Sequence, residues 1–280
     1  MSLNTPEADA MSLQQALKDI HFFRGVLPVK AYEFLVAHHK EVTPYLIQIL
    51  KNVIQRHDRT GDYYVAHVHA LILLSQFREK KAYPLVIALL NLPIDSIDRL
   101  IGDMLTETIS KSITSIYDGN SEPLIALLIK PEADRFVRAI VGMCFTALIY
   151  QKMIDKELFI TRMQEIVASG KMNADPSFFS SLANITMNSK LEPLYDTIKA
   201  AFHAGWIFSD LMDVNLFEKS LSMPTEQLVR EEDLHPVNDS LKEMGYWQGY
   251  NNPISVNIER NAKCPCGSDL KFKMCCITML

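Results

Sequence analysis

Four of the chain's five cysteines fall within thirteen positions, at Cys264, Cys266, Cys275 and Cys276. No other feature narrows the fold as much. Four thiolates held this close surround one tetrahedral zinc ion, with Zn–S bonds of about 2.3 Å. The spacing is C-x-C, eight residues, then C-C. Pro265 stiffens the short bite between the first two ligands. Gly267 supplies the positive φ that turns the chain back over the metal, and Ser268 and Asp269 favour a turn. Lys271, Phe272 and Lys273 lie in the arm returning to the second pair, where Phe272 is the large aromatic available to cover the site. Four thiolates leave no open coordination position, so one structural Zn2+ is expected rather than a hydrolytic ion. A unit of about twenty residues cannot fold on a core alone. Bound zinc supplies about 10–16 kcal/mol to such a unit.

The rest of the chain carries no comparable chemical signal, and composition sets its limits. Hydrophobic residues make up 48% of 280 residues, with ten glycines and thirteen prolines, enough for a core and too few for a loop-rich chain. The net charge of −5 disfavours a whole-surface nucleic-acid binder. That reading stays open for the tail, where Lys263, Lys271 and Lys273 cluster. Met1–Ala10 lacks the basic start and apolar stretch of a signal peptide. The longest apolar run, Ala139–Tyr150, is too short for a bilayer span of about 20 residues. A soluble cytoplasmic protein is expected. Its clustered cysteines should then stay reduced and bind metal rather than form disulfides.

Helical periodicity dominates the body. Val65, Val68, Leu71, Ile72 and Leu74 fall at helical spacing and Phe77 closes the row. Similar segments run Lys30–His39, Tyr45–Gln55, Asp98–Ile109, Arg135–Tyr150, Lys156–Ala168, Ser177–Met187 and Pro193–Ala204. No credible sheet is visible. Pro44, Pro84 and Pro123 recur at a period of about 40, each opening an apolar stretch, and Pro193 follows out of phase. Proline suits the first helical position, so helices are expected to begin within two residues of each. The expected class is all-α: a HEAT-like α-solenoid of paired helices followed by a small zinc knuckle. Tyr64–Phe77 with Pro84–Leu92, and Phe136–Tyr150 with Lys156–Ala168, read as two such pairs. An irregular helical bundle satisfies the same pattern. Residues 12–221 form the expected helical-repeat domain, 222–260 a linker or a docking strap, and 261–280 the zinc-binding motif.

Leu27-Pro28, His69-Ala70-Leu71, Gln76-Phe77-Arg78-Glu79, Ala82-Tyr83-Pro84-Leu85, Gly102-Asp103, Thr106-Glu107 and Ile116-Tyr117-Asp118-Gly119 follow one another in the order of a known family. The body resembles a bacterial domain-of-unknown-function family, number 1186 in its series. The resemblance implies helical repeats and no established activity. The tail resembles the SEC-C motif, with the pattern C-P-C-G-S-G-K-K-Y-K-K-C-C or C-H. Carried over, that pattern makes Cys264, Cys266, Cys275 and Cys276 the ligands, with Gly267, Ser268, Phe272 and Lys273 in the recurrent framework. Asp269 replaces a usual glycine and Leu270 a usual lysine, which lowers the positive charge. By analogy with such tails, the knuckle would touch a chaperone or the ribosome.

Other candidates are weaker. Cys144, between Met143 and Phe145, reads as a buried core thiol. His67 and His69 lie two apart and point to opposite sides of a helix, and adjacent His38 and His39 are no better placed, so neither pair suits one ion. Met104, Met143, Met153 and Met163 read as core filler. Asp103 and Glu107 share one helical face with Lys111 another turn on. Either they form an exposed charged row, or, with Asp118, an acidic patch in a groove. No partner nucleophile or pocket is legible beside them, and no catalytic residue is assigned. The expected function is a non-catalytic scaffold or adaptor that recruits a protein partner through the helical surface and the knuckle. Lys271, Phe272, Lys273, Asp103, Glu107 and Asp118 are candidate contact residues. The rival readings are an enzyme with a groove site at those carboxylates, and a ribosome or nucleic-acid contact through the tail.

Overall fold

The structure, a computed structural model, describes residues 11–210 and 212–276. The Met1–Ala10 stretch and the last four residues of the expected knuckle lie outside it. The chain divides into two compact units, Met1–Ala82 with Asn238–Leu280, and Tyr83–Val237. The division falls inside the first expected helix pair, after Ala82. Among the described residues there are α-helices and short 3-10 turns and no strands, so the class is all-α.

The first unit opens with α1 (Leu13–Asp19), α2 (Val29–Ala37), α3 (His39–Gln55) and α4 (Ala66–Gln76). Ser12 caps α1 by accepting from the Gln15 N–H at 3.1 Å. The expected start of α3 at Pro44 is wrong: the helix begins at His39 and contains the proline. Its buried face starts at Val42 and continues through Leu46, Ile49, Leu50 and Val53, so packing carries the helix past the proline. Pro44 faces solvent. Every residue from Ala66 to Ser75 of α4 is buried. Such a helix is buried all round and central to its unit.

The second unit contains α5 (Tyr83–Leu90), α6 (Ile94–Ile101), α7 (Met104–Glu107), α8 (Ile109–Ile116), α9 (Glu122–Leu128), α10 (Arg135–Tyr150), α11 (Lys156–Ala168), α12 (Pro176–Ser189), α13 (Tyr195–His203), α14 (Val214–Leu221) and α15 (Thr225–Leu228). The prolines at 84, 123 and 193 open helical turns as expected. Asp134, Asp155, Asp175 and Asp213 cap α10, α11, α12 and α14 through their carboxylates. Each such cap contributes about 1 kcal/mol. Phe145 and Phe159 join α10 to α11 with ring centroids 4.8 Å apart. The single helix expected over Asp98–Ile109 is instead three. Gly102 at φ +43° ends α6 by donating to the Asp98 carbonyl at 2.8 Å, and Thr108 breaks the chain again. The last helix, α16 (Ser240–Gly245), belongs to the first unit, where Asp239 caps it and the Ser240 N–H donates to Gln76 at 2.9 Å.

A buried histidine ties this returning segment to the N-terminal helices. His69 of α4 is 1% exposed, with Tyr32 of α2 at 2.6 Å from Nδ1 and Tyr250 at 3.1 Å from Nε2. A neutral ring donates through one nitrogen and accepts through the other, so both tyrosines are satisfied. Burial, then the neighbouring His67 and His21, pushes the His69 pKa down to about 3. The unfolded chain therefore takes up a proton below about pH 6.5 that the native fold refuses. The stability this site contributes is whole above that pH and is lost as pH falls toward 3. The stability advantage of the native protein over His69→Gln should shrink by about 1.4 kcal/mol per pH unit below 6.5. Urea melts of both proteins between pH 7 and 5 check this; a pH-independent difference would contradict it.

Candidate metal centre

The four cysteines converge because the segment before and the arm after them pair backbone to backbone. The Cys264 N–H donates to the Leu270 carbonyl at 2.8 Å, Phe272 to Ala262 at 2.8 Å and Lys273 to Arg260 at 2.9 Å. Two residues take positive φ, Gly267 at +73° and Asp269 at +61°. Aspartate tolerates that conformation better than most residues. Its carboxylate also accepts from Lys263 at 3.2 Å and pairs with Arg59, and these two partners lower its pKa. The departure at 269 thus exchanges a glycine's freedom for two ionic contacts.

All four cysteines are buried, at most 4% exposed, and their sulfur atoms lie within 4.8 Å of one another. Cys266 and Cys275 Sγ are 3.4 Å apart. A tetrahedral zinc tetrathiolate needs sulfur separations of roughly 3.8 Å, so the donor set fits the ion. Hydrogen bonds from Cys264 and Cys276 hold the Cys266 thiol far below its usual range. Hydrogen bonds with Cys264 and Cys266 push Cys276 far above it, and Cys264 is raised to about 11 chiefly by its bond to Cys266. Four thiolates cannot all ionise this close together without a cation between them. The Ser268 hydroxyl donates to Cys275 at 3.1 Å, and Arg56 Nη1 lies 4.0 Å from Cys266. The cluster is a metal-binding centre. Among the described residues it is the only group of three or more His, Cys, Asp or Glu side chains close enough to share an ion.

The knuckle rests on the first unit's own helices. The Gly61 N–H donates to the Pro265 carbonyl at 2.8 Å. Phe272 meets Phe22 edge to face, with centroids 5.7 Å apart. A Cβ at Gly267 would lie 3.1 Å from the Arg56 Cβ and the Arg59 carbonyl carbon. Glycine there serves the turn and also the close approach to the end of α3. Residues ahead of the knuckle are tied down as well. Tyr250 packs on Phe23 with centroids 5.3 Å apart, and Ile254 donates to the Arg24 carbonyl at 2.9 Å.

The other residues singled out in the sequence lie elsewhere. Asp103 and Glu107 are exposed on the short α7, whereas Lys111 is buried in α8. The break at Thr108 prevents the expected continuous charged row. Asp118 is exposed and accepts from the Asn120 N–H in a turn. In the knuckle, Lys271 is exposed and Lys273 half-buried, while Phe272 turns toward Phe22. Leu270 and Met274, 53% and 63% exposed, flank Lys271. His38 stacks on Phe34, and Cys144 is fully buried with its pKa raised by that burial. Sequence reasoning missed Phe22, Arg56, Arg59 and Gly61, which receive the knuckle. Roughly 200 residues separate the two sides, and no local pattern marks such a partner.

Comparisons with known proteins match the tail and the body separately. Residues 260–277 match the SEC-C motif. An uncharacterised protein of Chlamydia trachomatis is 32% identical over 246 residues, covering 85% of this chain and 96% of its own length. One from Chlamydia muridarum is 31% identical over 246 residues, covering 85% and 97%. No solved structure gives a significant match. Beyond its metal-binding tail, residues 11–251 match the profile described as protein of unknown function DUF1186, and with those near full-length relatives this places the chain in the DUF1186 family.

Proposed function

We propose that this chain is a non-catalytic zinc adaptor, in which one structural zinc ion shapes a knuckle that shares a protein partner with the helical body. The carrying observation is the buried four-cysteine set. Cys264, Cys266, Cys275 and Cys276 would hold the ion and fill its coordination sphere, so the metal supplies folding energy rather than a reactive position. Reduced cysteines suit a cytoplasmic location. With Phe272 turned toward Phe22, the exposed residues of the knuckle include the apolar Leu270 and Met274 beside Lys271, Lys263 and Asp269. That surface is too small for a standard interface of about 1,600 Å². A paired-helix repeat surface would supply the remaining area, with Asp103, Glu107 and Asp118 among its exposed acidic groups.

Elemental analysis of protein purified without added metal should return one zinc per chain. Affinity capture should then be compared between the native protein and a Leu270→Glu, Met274→Glu variant, with zinc content measured on both. The variant should keep its zinc and lose partner capture by about tenfold. Zinc-free protein with reduced thiols would refute the metal assignment. Undiminished capture by the zinc-loaded variant would refute the knuckle as a contact surface.

A further inference from the structure

Against the metal centre, inside the first unit, lies a cavity of about 310 Å³. It is at the small end of the range for ligand pockets, and its walls are of three kinds. Leu17, Ile49 and Tyr64 make an apolar wall, each less than a tenth exposed. Cys266 and Cys276 supply a sulfur wall. His21, Asn52 and Arg56 bring polar groups to the same space, and the exposed Tyr45 and Gln48 line its mouth.

The hydrogen-bonding roles of those polar groups are set by their other contacts. His21 is 7% exposed, and its Nδ1 lies 2.5 Å from the Leu17 carbonyl. A carbonyl only accepts, so Nδ1 carries the hydrogen and the neutral ring presents Nε2 as an acceptor. The Asn52 side-chain oxygen accepts from Gln48 at 2.8 Å, which leaves its amide N–H groups as donors. Arg56 is donor-only. The cavity therefore offers His21 Nε2 as a buried nitrogen acceptor beside the two sulfurs, with donors from Asn52 and Arg56, around an apolar body. A divalent ion on four thiolates leaves the sulfur wall net negative, which opposes an anion beside it. The group that meets an acceptor and a donor without charge is a hydroxyl.

We infer that this cavity is a binding site for a small, uncharged, mostly apolar molecule bearing one hydroxyl group, of the phenol or short-alcohol class. The hydroxyl donates to His21 Nε2 and accepts from Arg56 or Asn52, while Leu17, Ile49 and Tyr64 enclose the apolar part. This inference rests on the zinc assignment but not on the knuckle as a partner contact.

The test uses full-length, zinc-loaded protein and three probes of one size: p-cresol, toluene and 4-methylbenzoate. Titrations followed by NMR should show saturable p-cresol binding, with shifts at His21 and Tyr64. Toluene, lacking the hydroxyl, should bind at least tenfold more weakly, because the buried acceptor is then left unpaired. His21→Phe should bring the two affinities within about threefold, and Ile49→Trp, which fills the cavity, should abolish both. The inference is overturned by equal affinities for p-cresol and toluene, by tighter binding of 4-methylbenzoate, or by no saturable binding of p-cresol. The probe comparison on unaltered protein decides the matter even where His21→Phe fails to fold.

Discussion

Removing the metal should loosen the first unit, well beyond the knuckle itself. With Cys264→Ser and Cys266→Ser together, or after chelation, the thiolates lose the cation that allows them to sit within 4.8 Å of one another. The turns at Gly267 and Asp269 then have nothing to hold them. Three contacts go with them: the Phe272–Phe22 ring pair, the Gly61–Pro265 hydrogen bond and the Arg59–Asp269 ion pair. At typical values the aromatic pair and the backbone hydrogen bond together contribute about 2 kcal/mol, and the exposed ion pair adds little. For a unit of this size that is a fall in Tm of about 10 °C. Hydrogen exchange should lose protection at the Gly61 amide and around the end of α3, while α10 and α12 keep theirs. If residues 222–260 acted as the linker that the sequence allows beside a docking strap, the knuckle would make few contacts and chelation would leave the helices untouched. Unchanged protection at the end of α3 would favour that picture and contradict the one drawn from the contacts.

The second large effect is expected in the second unit, at Arg138. Its side chain is 1% exposed on α10. One nitrogen, Nη1, donates to both carboxylate oxygens of Asp175 at 2.7 and 2.8 Å, and Nε donates to the Lys130 carbonyl at 3.0 Å. Asp175 in turn caps α12 by accepting from the Phe178 N–H at 3.0 Å. One ion pair thus joins the start of α10, the loop before it and the start of α12. Arg138→Ala leaves a carboxylate without its cation and a carbonyl without its donor, and should cost about 3–5 kcal/mol. Arg138→Met keeps most of the packing and should cost less. Asp175→Ala strands the buried guanidinium and also removes the cap, so it should cost at least as much as Arg138→Ala. Urea denaturation of the three single variants and of the Arg138→Ala, Asp175→Ala pair measures the coupling. A loss below about 1 kcal/mol for Arg138→Ala would show that the pair contributes little.

Much of the helical content was legible because burial imposes a period. Arg135–Tyr150 and Lys156–Ala168 are helices over those same residues in the structure. Their apolar positions recur at the helical spacing, and Asp134 and Asp155 stand at the caps. The misplaced boundaries have local causes that periodicity does not register. At Pro44 a buried apolar face that starts two residues earlier outweighs a proline on the solvent side. At Gly102 a positive φ ends a helix that the apolar pattern would continue, and the further break at Thr108 separates Asp103 and Glu107 from Lys111.

By itself, the sequence determined the all-α class, the family and the four sulfur donors. Helical period and metal-ligand spacing are local properties, written within a few turns or a dozen residues of chain. Only the tertiary structure decided where the donors rest. It brought Phe22, Arg56, Arg59 and Gly61 beneath the knuckle and turned Phe272 inward to meet them. It set Tyr250 on His69, and opened a cavity between α3 and two of the cysteines. These contacts join residues roughly 200 positions apart. Their energy comes from surfaces that fit once both are folded, and fit of that kind leaves no period in the sequence.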